Sequence, residues 1–138
     1  MRLIGSLLAA ALVPLSALGA MAQRHGSSDR YFQDTVEELE NAGIAGLSIE
    51  DTLLPRAHGP SDATQLLSLE EGVGKMRAAL QARRDPDLVI AGRTSAISVS
   101  GLDDTIARAT AYEAAGVDAI FLVGVKTREQ LDAIAPRL

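Results

Sequence analysis

Two observations predict an α/β fold built on a parallel sheet. From Asp34 onward, helical apolar spacing alternates with short apolar runs, in the order helix, strand, helix, strand, helix, strand, helix. One junction also occurs twice: Glu40-Asn41-Ala42-Gly43-Ile44-Ala45-Gly46-Leu47 and Glu113-Ala114-Ala115-Gly116-Val117-Asp118-Ala119-Ile120 share a helix end, a glycine stop and a strand entry. Repetition of that unit implies parallel strands joined by right-handed crossovers. The pattern is compatible with an open sheet and with a closed barrel.

The elements follow in order. Val36, Leu39 and Ala42 make one helical face among Glu37, Glu38 and Glu40, and Gly43 stands where a left-handed stop belongs. Ile44 to Ile49 reads as a strand ending at Glu50-Asp51. A breaker-rich loop, Pro55 to Ser61 with His58-Gly59-Pro60 at its centre, comes next. Ser68-Leu69-Glu70-Glu71 is a capping box opening a helix to about Arg83, with Val73, Met76 and Leu80 as its inner stripe. Leu88-Val89-Ile90-Ala91 fits a strand buried on both faces. Ser100-Gly101-Leu102-Asp103 opens a helix through Ile106, Ala109 and Tyr112 that stops at Gly116. Ala119 to Val123 is the third strand, and a second capping box, Thr127 to Gln130, starts a last helix that meets Pro136.

A length of 138 residues bounds the chain at one domain. With 47% hydrophobic and 22% charged residues the composition is that of a globular core, which argues against disorder. The absence of cysteine removes disulfides, thiolate zinc sites and cysteine nucleophiles. A net charge of −5 provides no basic footprint for nucleic acid. The charge is uneven, because residues 1–33 carry Arg2, Arg24 and Arg30 against Asp29 alone, so the acidic excess lies in 34–138. Leu3 to Leu18 is uncharged and rich in Leu and Ala, and Ala20-Met21-Ala22 follows it. That is the layout of a secretory signal, too short and too broken by Gly5 and Pro14 for a membrane span.

In parallel α/β folds, open or closed, working residues stand just past the carboxyl ends of the strands. That rule selects Glu50-Asp51-Thr52, Arg93-Thr94-Ser95 and Gly124-Val125-Lys126. Carboxylate oxygens suit Mg²⁺ and a guanidinium grips a carboxylate with two parallel bonds, so the first two clusters suit a divalent cation and an anionic substrate. Gly72-Val73-Gly74-Lys75 has the look of a phosphate loop, but Met76 replaces the required hydroxyl residue and the segment lies within a helix. Its glycines are therefore read as close-packing positions. His25 and His58 have no partner at metal-ligand spacing and read as surface residues, and no Gly-x-Ser-x-Gly elbow supports a hydrolase triad.

Ala42 to Pro55, Glu71 to Ala79 and Ala91 to Ala96, continuing through Gly101-Leu102-Asp103-Asp104 and Tyr112 to Ala119, together resemble the isocitrate lyase and phosphoenolpyruvate mutase superfamily. The nearest branch is the oxaloacetate decarboxylase group, and the likeness covers residues 34–138. The resemblance implies a (β/α)8 TIM-type barrel whose Mg²⁺ site takes a small 2-oxo acid such as oxaloacetate, of which about three central βα units are present and the chain is an incomplete barrel. It places the family's Ile-Glu-Asp motif on Ile49-Glu50-Asp51, with Glu50 meeting the metal directly or through water. Its Ala-Arg-Thr motif falls on Ala91-Gly92-Arg93-Thr94, with Arg93 as the catalytic carboxylate grip, Thr94 beside it on the substrate, and Gly92 as an inserted or substituted position.

The lyase motif Lys-x-Cys-Gly-His has no counterpart in Pro55-Arg56-Ala57-His58-Gly59-Pro60, which counts against isocitrate or methylisocitrate cleavage. The Asp-x-Asp-His-Gly-Tyr-Gly strand that supplies the family's metal aspartate is expected just before Asp34. Only His25-Gly26 echoes it there. Residues 1–33 are accordingly expected to be a signal-like or frameshifted leader foreign to the family, with the balance toward a frameshifted, truncated or wrongly started frame and a cytoplasmic location. Complete members form homo-oligomers, and the isolated chain is expected neither to assemble normally nor to turn over substrate. The alternatives are a non-catalytic remnant or interaction module and, within the family, a phosphonate mutase or hydrolase or a methylisocitrate lyase-like enzyme.

Overall fold

The computed structural model describes residues 28–54 and 63–138. The leader residues through Ser27, His25, and the loop from Pro55 to Asp62 with His58 lie outside the described residues. The elements are α1 (Ser28–Asn41), β1 (Gly46–Glu50), α2 (Leu69–Ala82), β2 (Val89–Thr94), α3 (Ala96–Val99), α4 (Leu102–Ala115), β3 (Ala119–Leu122) and α5 (Arg128–Ile134), closed by a 3-10 turn at Ala135–Arg137. All expected helices and strands are present, and α3 is added. Four residues are too few to display helical periodicity, so α3 has no signature in the sequence. Among the described residues no helix is long and apolar enough to cross a membrane.

The three strands are parallel and stand in chain order β1-β2-β3. Sequential order with helical crossovers is the arrangement of consecutive units in a (β/α)8 barrel, whereas a doubly wound sheet reverses its order at a switch point. Phe32 and Val36 of α1, Met76 and Ala79 of α2, and Tyr112 of α4 share one core with Leu47, Ile49 and Ile90 of the sheet. The helices thus cover a single face. β2 corrects the expectation of burial on both sides: Ile90, Gly92 and Thr94 are buried while Val89 is 45% exposed. A strand pleat sends alternate side chains to opposite faces, and the buried residues of β2 all lie on the helical one.

The repeated junction forms by the same hydrogen bonds both times. After α1, Ile44 N–H reaches the Leu39 carbonyl at 3.1 Å and Gly43 N–H the Glu40 carbonyl at 2.9 Å, with Gly43 at φ +77°. After α4, Val117 N–H reaches Tyr112 and Gly116 N–H reaches Glu113, with Gly116 at φ +103°. Both are Schellman stops, in which only a residue tolerant of positive φ ends the helix without strain. Both expected capping boxes, Ser68 with Glu71 and Thr127 with Gln130, also close. α1 begins at Ser28 rather than Asp34, and Phe32 in the added turns joins the core, while Ala42 is exposed.

The two glycines of α2 divide. A Cβ on Gly72 would press on the Tyr112 hydroxyl and lie 3.2 Å from its ring carbons, so this glycine is the close-packing position expected. Gly74 is exposed with nothing within 4 Å of an added Cβ, which corrects the same expectation there. Gly92 pairs with Ile49 and Ile120 in unbroken register, so it is a substituted strand position and not an insertion, and its bare Cα sits under Tyr112.

Opposite outcomes are expected two residues apart in α2. Gly72→Val should lower unfolding free energy by about 1–3 kcal/mol through overpacking against Tyr112. Gly74→Ala should raise it by about 0.5–1 kcal/mol through helix propensity alone. Urea denaturation of the two variants checks both signs.

Candidate functional site

The carboxyl ends of β1 and β2 bring the two principal candidates together. Register pairs Glu50 with Arg93, and Arg93 with Phe121 of β3. Arg93 Nη1 lies 3.9 Å from Glu50 Oε2, and its guanidinium stands over the Phe121 ring at 5.4 Å from the centroid. Phe121 is 41% exposed, so this ring holds the arginine on the face that the helices leave uncovered. The buried Arg93 Nε has no hydrogen-bond partner among the described residues. A buried guanidinium donor without an acceptor is costly, and an anionic oxygen would satisfy it.

The acidic pair does not act as a pair. Adjacent strand residues face opposite ways, so Glu50 faces Arg93 while Asp51 turns into the helix layer. There Asp51 is fully buried, its Oδ2 accepting from the Tyr112 hydroxyl at 2.8 Å and from Arg108 Nη1 at 3.2 Å. Arg108 also donates from Nε to Asp104 at 2.8 Å. This corrects the reading of Glu50-Asp51 as two carboxylates for one cation. Thr94 is likewise on the helical face: it is 1% exposed, and its hydroxyl accepts from the Ala96 N–H at 3.2 Å, holding the start of α3. The structure therefore separates Thr94 from Arg93.

Glu50 is oriented from both sides. Thr52 donates to its Oε1 at 2.6 Å, and Lys75 of α2 donates from Nζ to its backbone carbonyl at 2.6 Å. Beyond it the chain is pinned, because Leu53 N–H reaches the Gln65 carbonyl and Leu67 N–H the Asp51 carbonyl, both at 2.8 Å. Burial pushes the Lys75 ammonium below the ordinary lysine range, with Asp51 and then Glu50 pulling it back up. In the sequence Lys75 stands away from every strand end and is marked only by its place in the phosphate-loop look-alike Gly72-Val73-Gly74-Lys75. The available signal was its place on the inner face of α2, one turn from Gly72 and from Ala79. Lys126, the cation past β3, is exposed, and only its backbone N–H is engaged here, by Gln130.

The donor set can be compared with what Mg²⁺ requires. Mg²⁺ typically takes one or two protein carboxylates and keeps several waters. Glu50 fits as one such hard-oxygen donor, since its Oε2 has only the long approach of Arg93. Asp51 does not fit: it is turned into the helix layer, where Oδ2 is taken by Tyr112 and Arg108 and Oδ1 is buried without a hydrogen-bond partner among the described residues. No group of three or more His, Cys, Asp or Glu that could hold a metal occurs among the described residues, so Glu50 accounts for one part of a ligand set.

The buried cluster has measurable consequences. Asp51→Ala should cost about 1–3 kcal/mol, since it takes the acceptor from the buried Tyr112 hydroxyl and leaves Arg108 with Asp104 as its carboxylate partner; thermal and urea unfolding would read this loss. Burial, and then the neighbouring Asp51 carboxylate, raise Tyr112 above its ordinary value of 10.0. Above about pH 10 the unfolded tyrosine loses its proton while the folded one keeps it, so the unfolded state binds fewer protons and stability falls as pH rises. Tyr112→Phe should lack that alkaline loss, and the stability difference between wild type and variant should shrink above pH 10.

The chain has relatives among known proteins. The chain is 67% identical over 101 residues to the oxaloacetate decarboxylase of Rhodopseudomonas palustris, an alignment covering 73% of this chain and 35% of the relative. The chain thus spans about a third of the length of the curated relatives it matches. Oxaloacetate acetylhydrolase bound to the inhibitor 3,3-difluorooxalacetate superposes with a TM-score of 0.71 at 29% identity, over 81% of this chain and 38% of that one. Phosphonopyruvate hydrolase in complex with oxalate and Mg²⁺ gives 0.68 at 30% identity, over 80% and 38%. The phosphoenolpyruvate phosphomutase family model matches residues 1–138. By its parallel βα units, its strand-end motifs and this match, the chain belongs to the phosphoenolpyruvate phosphomutase family, within the isocitrate lyase/PEP mutase superfamily.

Proposed function

We propose that residues 46–94 carry part of the 2-oxo acid site of an oxaloacetate decarboxylase-like carbon–carbon lyase. The carrying observation is the juxtaposition of Glu50 with Arg93 at neighbouring strand ends, with Arg93 Nε buried and unpaired among the described residues. Sequence relatives that are oxaloacetate decarboxylases, and a structural neighbour holding difluorooxalacetate, support oxaloacetate as the substrate class. A neighbour holding oxalate with Mg²⁺ supports that metal. The full-length relatives are about three times longer than the matched segment, so the complete reaction belongs to a longer protein, and the 138-residue chain by itself is expected to be inactive. We place it in the cytoplasm, with the normal oligomer not formed; α1, whose Phe32 joins the core, begins inside the stretch expected as a foreign leader, so residues 28–33 belong to the fold.

In this reading Arg93 grips a substrate carboxylate and offsets the negative charge that grows on the oxo oxygens as CO₂ leaves. Phe121 keeps the guanidinium in place, and Thr94 anchors α3 behind it. Glu50 would contact Mg²⁺ directly or through water. The bound ion would polarise the 2-oxo group that it chelates. Glu50 and Arg93, at 3.9 Å, stand close enough to restrain each other before any ligand arrives.

Calorimetric titration of the 138-residue chain with oxalate, with and without Mg²⁺, checks this reading. Oxalate affinity should require Mg²⁺, fall at least tenfold in Arg93→Lys, and lose its Mg²⁺ dependence in Glu50→Gln. Release of CO₂ from oxaloacetate should not exceed the rate with Mg²⁺ alone. Unchanged oxalate affinity in Arg93→Lys would overturn the assignment.

A further inference from the structure

The position of Glu50 is set by a group that no strand-end motif contains. We infer that Lys75 is a positioning residue for the 2-oxo acid site, fixing the last peptide of β1 so that the Glu50 carboxylate stays beside Arg93. This rests on the site reading above and deepens it.

The geometry carries the argument. Lys75 lies 25 positions along the chain from Glu50, on a different element, yet its Nζ donates to the Glu50 carbonyl at 2.6 Å. Nζ also stands over the Phe32 ring of α1 at 5.6 Å from its centroid, so the ammonium is held between two elements and is not free to sweep the surface. The end of β1 needs such a tether. Glu50 is the last residue of β1 and Asp51 is held to Arg93 by a 3.3 Å backbone bond, after which the chain turns away. Along the strand, Thr52 Oγ1 fixes Oε1 of the carboxylate, and Lys75 fixes the carbonyl of the same residue from the helical side. With peptide and carboxylate both held, the 3.9 Å approach to Arg93 is preserved.

A purely space-filling lysine would be replaceable by methionine, which has a similar stem and no charge. Tethering requires the donor. The loss should therefore appear at Glu50 and Arg93, not only in stability, and a cationic donor of similar reach should restore it.

The experiment uses the 138-residue chain with isotope-labelled Glu and Arg. In the ligand-free protein, Lys75→Met should move both the Glu50 13Cδ and the Arg93 15Nε resonances, and Lys75→Arg should return them toward wild type. Oxalate affinity with Mg²⁺ should fall five- to tenfold in Lys75→Met and recover to within twofold in Lys75→Arg. Unmoved resonances in Lys75→Met, or movement that Lys75→Arg does not reverse, would overturn the inference. If Lys75→Met does not fold, Lys75→Gln reads the same two resonances and decides by the same outcomes. A wild-type chain with no oxalate affinity would remove the site reading instead, while the ligand-free resonances would still decide the role of Lys75.

Discussion

Asp51 is the point where the sheet and the helix layer are bolted together. Its carboxylate is fully buried, and it takes the Tyr112 hydroxyl and the Arg108 guanidinium from α4. Burying a carboxylate is costly unless its neighbours replace the water it gave up, and at Oδ2 Tyr112 and Arg108 do so. That requirement fixes the height of α4 against β1 and, through Tyr112, the space above Gly72, which has no room for a side chain, and above Gly92, where a Cβ would be tight. Gly92 is in turn the residue before Arg93, so the depth at which the arginine emerges depends on the same ring.

The strand pleat then divides the chemistry. Because consecutive residues face opposite sides, the two acids of one motif have different tasks: Asp51 secures the layers and Glu50 meets Arg93. The same alternation separates Arg93 from Thr94, which holds α3 through the Ala96 amide. Motifs written as runs of adjacent letters thus split into one residue for the open face and one for the helical face. At the ends of β1 and β2, Glu50 and Arg93 are the residues that share a face with Val89 and Phe121.

Much of the fold was legible because its signals are local. Gly43, Gly116, Ser68–Glu71 and Thr127–Gln130 act within a single turn of chain, and the structure forms each as the sequence implies. Glu50 and Arg93 were legible because strand ends are simple to locate. What escaped depends on distant partners. The grip of Arg108 and Tyr112 on Asp51 joins positions 57 and 61 apart, and no spacing rule connects them. Lys75 was hidden because its partner is a backbone carbonyl, which has no letter in the sequence. The exposure of Val89 was missed because an apolar run shows only that a strand forms, not how many of its faces are covered.

The contrast between local stops and distant bolts bears on the order in which the chain can become ordered. Both Schellman turns use hydrogen bonds spanning no more than five residues, so α1 and the entry to β1 can form as soon as those residues leave the ribosome. Asp51 emerges in the same stretch, yet its guanidinium partner follows 57 residues later. Until Arg108 arrives, that carboxylate must keep its hydration, and the layer that will enclose it has to stay ajar. The final tightening of this unit is therefore tied to completion of α4: the turn before the first strand can form early, and the carboxylate at its end is sealed late.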